Sequence, residues 1–562
     1  MSLTKVSNSM ITGAPGNVLD FGASPSATAS VNRFAIQAAL NAHTVVYLPE
    51  GTYLTDAVIN MNVGNYLLSY GGVIQSTISS GSLQCINTAD DCTVDGIVFN
   101  KVGGSSRGIQ VGGNNVVVKN CQFYQIGYCI AFVSCTSVLI TDNYFEGTGY
   151  GVINLSAVGY VISGVTISGN RFYNVTNDAI LFNTNSESYA GLQANNVTVT
   201  GNVYTRDSTI TTPATESRFC GFVHGTNITV TGNTIEGTLG DSAMHYEGQN
   251  TPAGADCDDS VVISGNSFRD CVSNYARFIW LINASGNRHV VITGNTFEVT
   301  SRTSAIGASN YVLTGSVPIS SNITYSDNLF RYRRDEGDTT TCYGIGVADG
   351  FAFHTLISNN QFINLSVGIS NTGTDVSATK TQILGNRFVG CTYGIQSGSA
   401  TYAFYGMICN NAFQSTVTYD LSFAALTLAN ISNNSFTSNA KSCNDKALIG
   451  LQNCRDNTNA NFGRQQALAG LAGGVAASLG YIGAGINNFL INATAAWEPS
   501  SGANHNELTS IVGMSGVVTA VALNSSTNNT IVTAITYSIS ANILYATVTS
   551  TLDTVSLHLD IL

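Results

Sequence analysis

The stretch VTISGNRFYN, residues 165–174, holds the pattern that decides the fold. Val165 to Ser168 alternate apolar and polar, as in a half-buried strand. Gly169-Asn170 marks a turn. One variable residue follows, and then an aromatic, Phe172. Working outward, the same unit recurs as VLITDNYFEG, VTVTGNVYTR, ITVTGNTIEG, VVISGNSFRD, VVITGNTFEV, ITYSDNLFRY, TLISNNQFIN, TQILGNRFVG, GMICNNAFQS and LANISNNSFTS. VVVKNCQF fits with Cys121 in the Asn slot, and CTVDGIVF is an earlier, looser copy. The aromatic slot falls at Phe99, Phe123, Phe145, Phe172, Tyr204, Ile235, Phe268, Phe297, Phe330, Phe362, Phe388, Phe413 and Phe436, with gaps of 22 to 33 residues.

A period of this length built from alternating strands and Asn turns fits a parallel β-helix with one coil per repeat. A leucine consensus is missing, and propeller blades need about 40 residues. Coils stacked about 4.8 Å apart bring each Asn amide to its counterparts above and below and the Phe rings into an interior stack. One coil cannot bury its own core, so the coils stabilise one another and the end needs a cover. The cover is legible in residues 17–55. NVLDFGA reads as a short strand and SVNRFAIQAALNA as an apolar-faced helix over 31–42, with Ser30 as N-cap. VVYLPEGTYLT, residues 45–55, reads as strand, turn and strand.

Composition sets limits. Charged residues are 10% of the 562, against about 25% in an ordinary soluble domain, and hydrophobics are 44%. The net charge is −12 and the basic run RYRRDEGD carries its own acids, which argues against nucleic-acid and anionic-membrane partners. The N-terminal MSLTKVSNSMITG lacks a basic-then-apolar signal layout. Residues 467–486 are uncharged and rich in Gly and Ala, and read as a helical or coiled linker rather than a membrane span. The 13 Cys include no CxxC pair. Cys271 and Cys391 each follow a slot Phe by three residues, which points to small core residues. No cofactor is expected. DCDD, from Asp256 to Asp259, is a candidate Ca²⁺ run without a recognised loop spacing.

The succession of NVLDFGA, AIQAAL and VVYLPEGTYLT followed by the coils resembles the pectate-lyase-like right-handed β-helix superfamily. With its short leader it is similar to bacteriophage tailspikes that act as capsule depolymerases. The resemblance covers about residues 17–454. It implies a homotrimer on the virion tail, acting outside the host cell, that binds and cleaves a bacterial capsular or surface polysaccharide. It also implies attachment to the phage tail or another tail protein through a short N-terminal segment.

The expected organisation is therefore a leader over 1–16, a helical cap over 17–55, the β-helix over 56–455 and a linker over 456–486. Residues 487–562 carry short alternating strands such as NTIVTAITYSI and read as a β-sandwich-like domain for trimerisation or glycan binding.

Chemistry is expected on the longer coils between Phe172 and Phe362, whose extra residues form loops. Asp178 and Asp241 both lie six residues after their slot residues, and Glu236 and Glu298 one residue after theirs. In SAMHYEG, inward Met244 and Tyr246 leave His245 and Glu247 outward. The same parity places Phe278 and Trp280 outward on the next coil. Glycoside hydrolysis needs two carboxylates about 5 to 9.5 Å apart. The catalytic candidates are Asp241, His245 and Glu247, with Glu236 and Asp270 near. Glu247 is the expected general acid and Asp241 its partner, with Asp178, Glu216 and Glu298 as alternatives. Trp280, Phe278, Tyr246, Arg269 and Arg277 are the substrate-binding candidates. NDAI at Asn177 is faintly similar to the acid motif of polygalacturonase-like hydrolases. A lyase acting on a uronate would instead use His245 or Tyr246 as base, with Arg269 or Arg277 neutralising the sugar acid. A spike that binds without cutting and a non-viral cell-wall enzyme are the remaining readings; the missing signal layout counts against the last.

Overall fold

The structure is a computed structural model. It describes residues 14 to 460 apart from 78–83, 102–106, 156–161, 183–193, 208–216, 224, 239–241, 248–258, 270–276, 284–287, 300–303, 311–320, 334–341, 348–353, 372–380, 398–405, 425–428, 439–440, 445–453 and 459. Beyond these it describes eight strands between 465 and 561. The chain divides into two compact units, 1–321 with 335–338, and 322–334 with 339–562.

In the first unit each repeat contributes a strand to each of three parallel sheets, so the fold is a right-handed parallel β-helix. One coil runs through Ile162–Ser168 in the first sheet, Arg171–Tyr173 in the second and Ile180–Phe182 in the third. The corner between the first two sheets is set by the Asn repeat. The residue before the Asn is left-handed, with φ of 65° at Gly169, 63° at Gly201 and 56° at Asp142. Only Gly, Asn and Asp adopt that conformation readily, which explains the Gly/Asp/Asn-Asn dipeptide.

The Asn amides then form a directional chain. Asn143 Nδ2 donates to Asn170 Oδ1 at 2.9 Å, Asn170 to Asn202 at 3.0 Å, Asn202 to Asn233 at 3.0 Å, and Asn233 to Asn266 and Asn266 to Asn295 at 2.9 Å each. The same Oδ1 also accepts the backbone N–H of the preceding Asn, as Asn202 does from Asn170 at 2.9 Å. Cys121, in the Asn slot, takes the first Oδ1 through its own N–H. Inside, the rings of Phe99, Phe123, Phe145 and Phe172 stack at 5.0, 5.0 and 4.6 Å.

The second unit repeats both devices. Its Asn chain runs through Asn328, Asn360, Asn386, Asn411, Asn434 and Asn457. Its rings run from Phe330 through Phe362, Phe388 and Phe413 to Phe436. This unit also holds the eight strands beyond 465, in antiparallel sheets of five and three. Gln465–Leu471 and Ala476–Tyr481 are among them, so the run expected as a helical or coiled linker contains strands. They pair with Val555–Ile561 and Ile543–Ser550 near the end of the chain, partners that local composition does not announce.

The helix spans Ala29–Ala42, and its N-cap is Thr28 rather than Ser30. It buries Ala35, Ile36, Ala39 and Leu40 over the first coil. Gln37 exchanges two hydrogen bonds of 2.8 Å with the backbone of Asn60, and Asn65 donates to the carbonyls of Leu40 and His43. The helix thereby supplies partners that a further coil would have supplied. All eleven described cysteines are buried thiols, Cys391 among them; Cys271 lies outside the described residues.

Asn202→Ala removes the acceptor of the buried Asn170 N–H. It is expected to cost about 1–3 kcal/mol in urea unfolding. Phe123→Ala, which opens the ring stack, is expected to cost about 3–5 kcal/mol.

Candidate functional site

Strands of the third sheet do not alternate simply. Each carries two successive inward residues, Cys129–Ile130, Ala179–Ile180, Ala243–Met244 and Phe278–Ile279, all at most 3% exposed. The first of the pair lies under the ring ladder. A Cβ on Gly151 at this place would meet Phe172 Cε1 at 2.6 Å. The residue before the pair and the residue after it therefore face away from the ladder, and they form two columns.

The column after the pair reads Ala131, Ile153, Leu181, Gly221, His245, Trp280, each opposite the next across paired strands. Ala131, Ile153 and Leu181 make a satellite apolar cluster with Tyr128, Tyr150 and Leu155. His245 stacks on Trp280, with ring centroids 5.0 Å apart and planes at 24°. His245 is 8% exposed, and Trp280 is half-buried.

The column before the pair reads Arg107, Tyr128, Tyr150, Asp178, Arg218, Ser242, Arg277 by the same register. The Arg107 guanidinium lies 5.5 Å from the Tyr128 ring centre, and the Tyr128 and Tyr150 rings stack at 5.2 Å. Asp178 is wholly buried, and its Oδ2 is 3.9 Å from Nη1 of Arg218, itself 7% exposed. A buried ion pair is costly to desolvate and weak as a device for stability alone. The Asp178 charge reaches further. Burial first, and then this carboxylate, raise the Cys220 thiol well above its usual range. Tyr204 is raised by burial and by Asp178, against the opposing effects of Ser217 and Arg206.

Several expected residues fall elsewhere. Phe278 does not face outward: it is 1% exposed and packs between Phe268 and Phe297. It pairs in position with Ala243, the extra inward residue that simple alternation omits. Tyr246 is inward, and its hydroxyl donates to the Gly225 carbonyl at 2.8 Å, so it presents no group to a substrate. Glu236 and Arg269 belong to the second sheet, not the third. Arg269 Nη1 is 3.8 Å from Glu236 and its Nε 3.4 Å from Glu298, a partly exposed ladder of alternating charge. In register Asp178 meets Arg218, and Arg218 meets Ser242, so one strand lies between those of Asp178 and Ser242.

Asp241, Asp270, Glu216 and residues 256–258 lie outside the described residues, as do the side chains of Glu247, Asp259 and Arg277. Glu247 ends the strand Ser242–Glu247, which sets its backbone about 16 Å from that of Ser242. The expected pairing of Asp241 with Glu247 lies outside the described residues. Among the described residues no group of three or more His, Cys, Asp or Glu is placed to hold a metal, and no helix is long and apolar enough to cross a membrane.

The residue that sequence reading undervalued is Arg218. It follows Tyr204 by 14 residues, and no fixed offset from the repeat marks it.

A model of the right handed beta helix region matches residues 66–235. No curated protein matches the chain by sequence. Among solved structures, the tailspike protein of Escherichia coli bacteriophage HK620, in complex with a pentasaccharide, is similar with a TM-score of 0.50 and 13% identity over 97% of this chain and 93% of that one. PfbA, a surface adhesin of Streptococcus pneumoniae, has a TM-score of 0.47 and 17% identity, covering 69% and 92%. The catalytic unit of an alpha-1,3-glucanase from Streptomyces thermodiastaticus has a TM-score of 0.43 and 14% identity, covering 75% and 69%. At these identities the likeness is one of fold.

Phe278→Ala is expected to destabilise the protein by about 3–5 kcal/mol, as a core truncation. Glu236→Gln, in the partly exposed ladder, is expected to change unfolding by less than about 1 kcal/mol. Thermal and urea melts of the two variants separate core from surface.

Proposed function

We propose that the chain binds a bacterial capsular or surface polysaccharide on its third sheet and cleaves it by endo-glycosidic hydrolysis. The observation that carries the reading is the buried Asp178–Arg218 pair lying three residues upstream, on adjacent strands, of the column that holds the stacked His245 and Trp280. An indole backed by an imidazole suits the apolar face of a sugar ring. A carboxylate on the same sheet, upstream of that column, supplies acid–base chemistry.

Hydrolysis needs a second carboxylate. Asp241 immediately precedes Ser242, and Ser242 is two strand spacings from Asp178 in register, about 9.6 Å. That backbone separation is just above the roughly 6.5–9.5 Å carboxyl spacing of an inverting pair, in which water enters between the two acids. In this reading Asp178 and Asp241 are the pair, and His245, Trp280 and Glu247 line the bound glycan. β-Elimination on a uronate, with His245 as base and Arg277 near the sugar acid, is the competing chemistry on the same sheet.

The chain would act as a homotrimeric tailspike on a virion tail, joined through its N-terminal segment to the tail or another tail protein. That part of the reading is supported by the β-helix with its helical cap and by the HK620 likeness in fold.

Digestion of a panel of purified capsular polysaccharides tests the reading. Reducing ends without 232 nm absorbance are the expected result. Asp178→Asn and Asp241→Asn should each lose about 10²-fold or more in rate with the fold kept, while Glu236→Gln keeps its rate. Absorbance at 232 nm would make the protein a lyase. Binding with neither signal would make it a spike that does not cut.

A further inference from the structure

We propose that Tyr204 is a positioning residue for the Asp178–Arg218 pair, acting through the two residues that flank Arg218. The inference rests on the reading that this pair belongs to the functional site.

Tyr204 occupies the aromatic slot that the four preceding coils fill with Phe99, Phe123, Phe145 and Phe172. It is wholly buried, so its hydroxyl is costly to keep unless bonded. The oxygen lies 2.9 Å from Oγ of Ser217, which is also wholly buried. Ser217 Oγ receives a hydrogen bond from Nη1 of Arg206 and lies 3.3 Å from the Val175 carbonyl. A serine hydroxyl has one hydrogen and two lone pairs, and the carbonyl can only accept. The serine hydrogen therefore goes to Val175, and Tyr204 donates to Ser217. Every bonding capacity of Ser217 Oγ is then used, and the residue before Arg218 is fixed.

The residue after it is fixed by the same side chain. Phe219 stands edge-on to Tyr204 at 6.2 Å and 72°, and to Phe172 at 6.4 Å and 77°. Between these anchors the Arg218 carbonyl accepts the Ala179 N–H at 2.9 Å, which ties it to the residue next to Asp178. Phenylalanine at 204 would satisfy the ring ladder fully. The hydroxyl adds nothing to that ladder; it orients Ser217, and through it Arg218.

The test is a double-mutant cycle of Tyr204→Phe and Arg218→Gln in the full chain, read in two ways. Arg218→Lys, which keeps the charge and loses the planar fork, takes the place of Arg218→Gln if that variant does not fold. On a cleaved polysaccharide, Tyr204→Phe is expected to lower kcat about tenfold with KM within about twofold, the signature of a misplaced group rather than lost binding. In the Arg218→Gln background it should lower kcat no further. By thermal melting the two substitutions should likewise couple, their combined loss falling short of the sum.

A full rate in Tyr204→Phe, or additive effects in kcat, overturns the proposal. If no polysaccharide is cut, the proposed function fails and the melting cycle decides alone. Coupling there upholds the positioning role, and additivity removes it.

Discussion

Everything in the β-helical part depends on one corner. A left-handed residue turns the chain, and the Asn after it hands its amide to the next coil. A strand's side chains repeat every two residues, so a slip of one would turn the whole core face outward. The amide chain prevents that slip, because each Oδ1 must meet both the N–H and the Nδ2 of one particular neighbour. With register fixed at this corner, residues far apart in sequence become neighbours on a second face. Asp178, Arg218 and Ser242 are separated by tens of residues along the chain and by single strand spacings across the third sheet.

The third sheet is where the repeat is least regular and where polar chemistry collects. Two successive inward residues break the alternation on each strand, and bulky residues enter this place at Phe219 and Phe278. These two are accommodated differently. Phe219 slots between Phe172 and Tyr204, and Phe278 between Phe268 and Phe297. The coil with Phe219 also carries Arg218, the cation of the buried ion pair, and the Tyr204–Ser217–Arg206 network. Core packing and site geometry there involve the same atoms, so a change in one is felt in the other.

The sequence carries the fold plainly because the ladders are built from single residue types. The slot positions from Phe99 to Phe172, the Asn after each Gly or Asp, and the covering helix were all readable from spacing. The cap residue was displaced by two, to Thr28, since both Thr28 and Ser30 offer a hydroxyl and only the backbone decides. The site was legible only in part. His245 and Trp280 meet as the shared parity suggests, because they lie after the inward pair on adjacent strands. Phe278 departs from simple parity because of the doubled inward position, and the shared offset of Asp178 and Asp241 from their slots does not carry register across the sheet. Loops of unequal length separate the slot from the third sheet, so an offset counted from the aromatic loses the register. The strands within the Gly/Ala-rich run were invisible for a different reason: their partners lie about 60 to 95 residues away in sequence.

The central claim is that glycan contact is made on the third sheet at Trp280. The chain has two tryptophans, Trp280 and Trp497, so a Trp497→Phe variant reports on Trp280 alone. Titrating that variant with oligosaccharide prepared from a polysaccharide that the protein binds should give a saturable change in indole emission, at the affinity found by calorimetry. Saturation in the calorimeter with no change in Trp280 emission would place the glycan elsewhere and contradict the account.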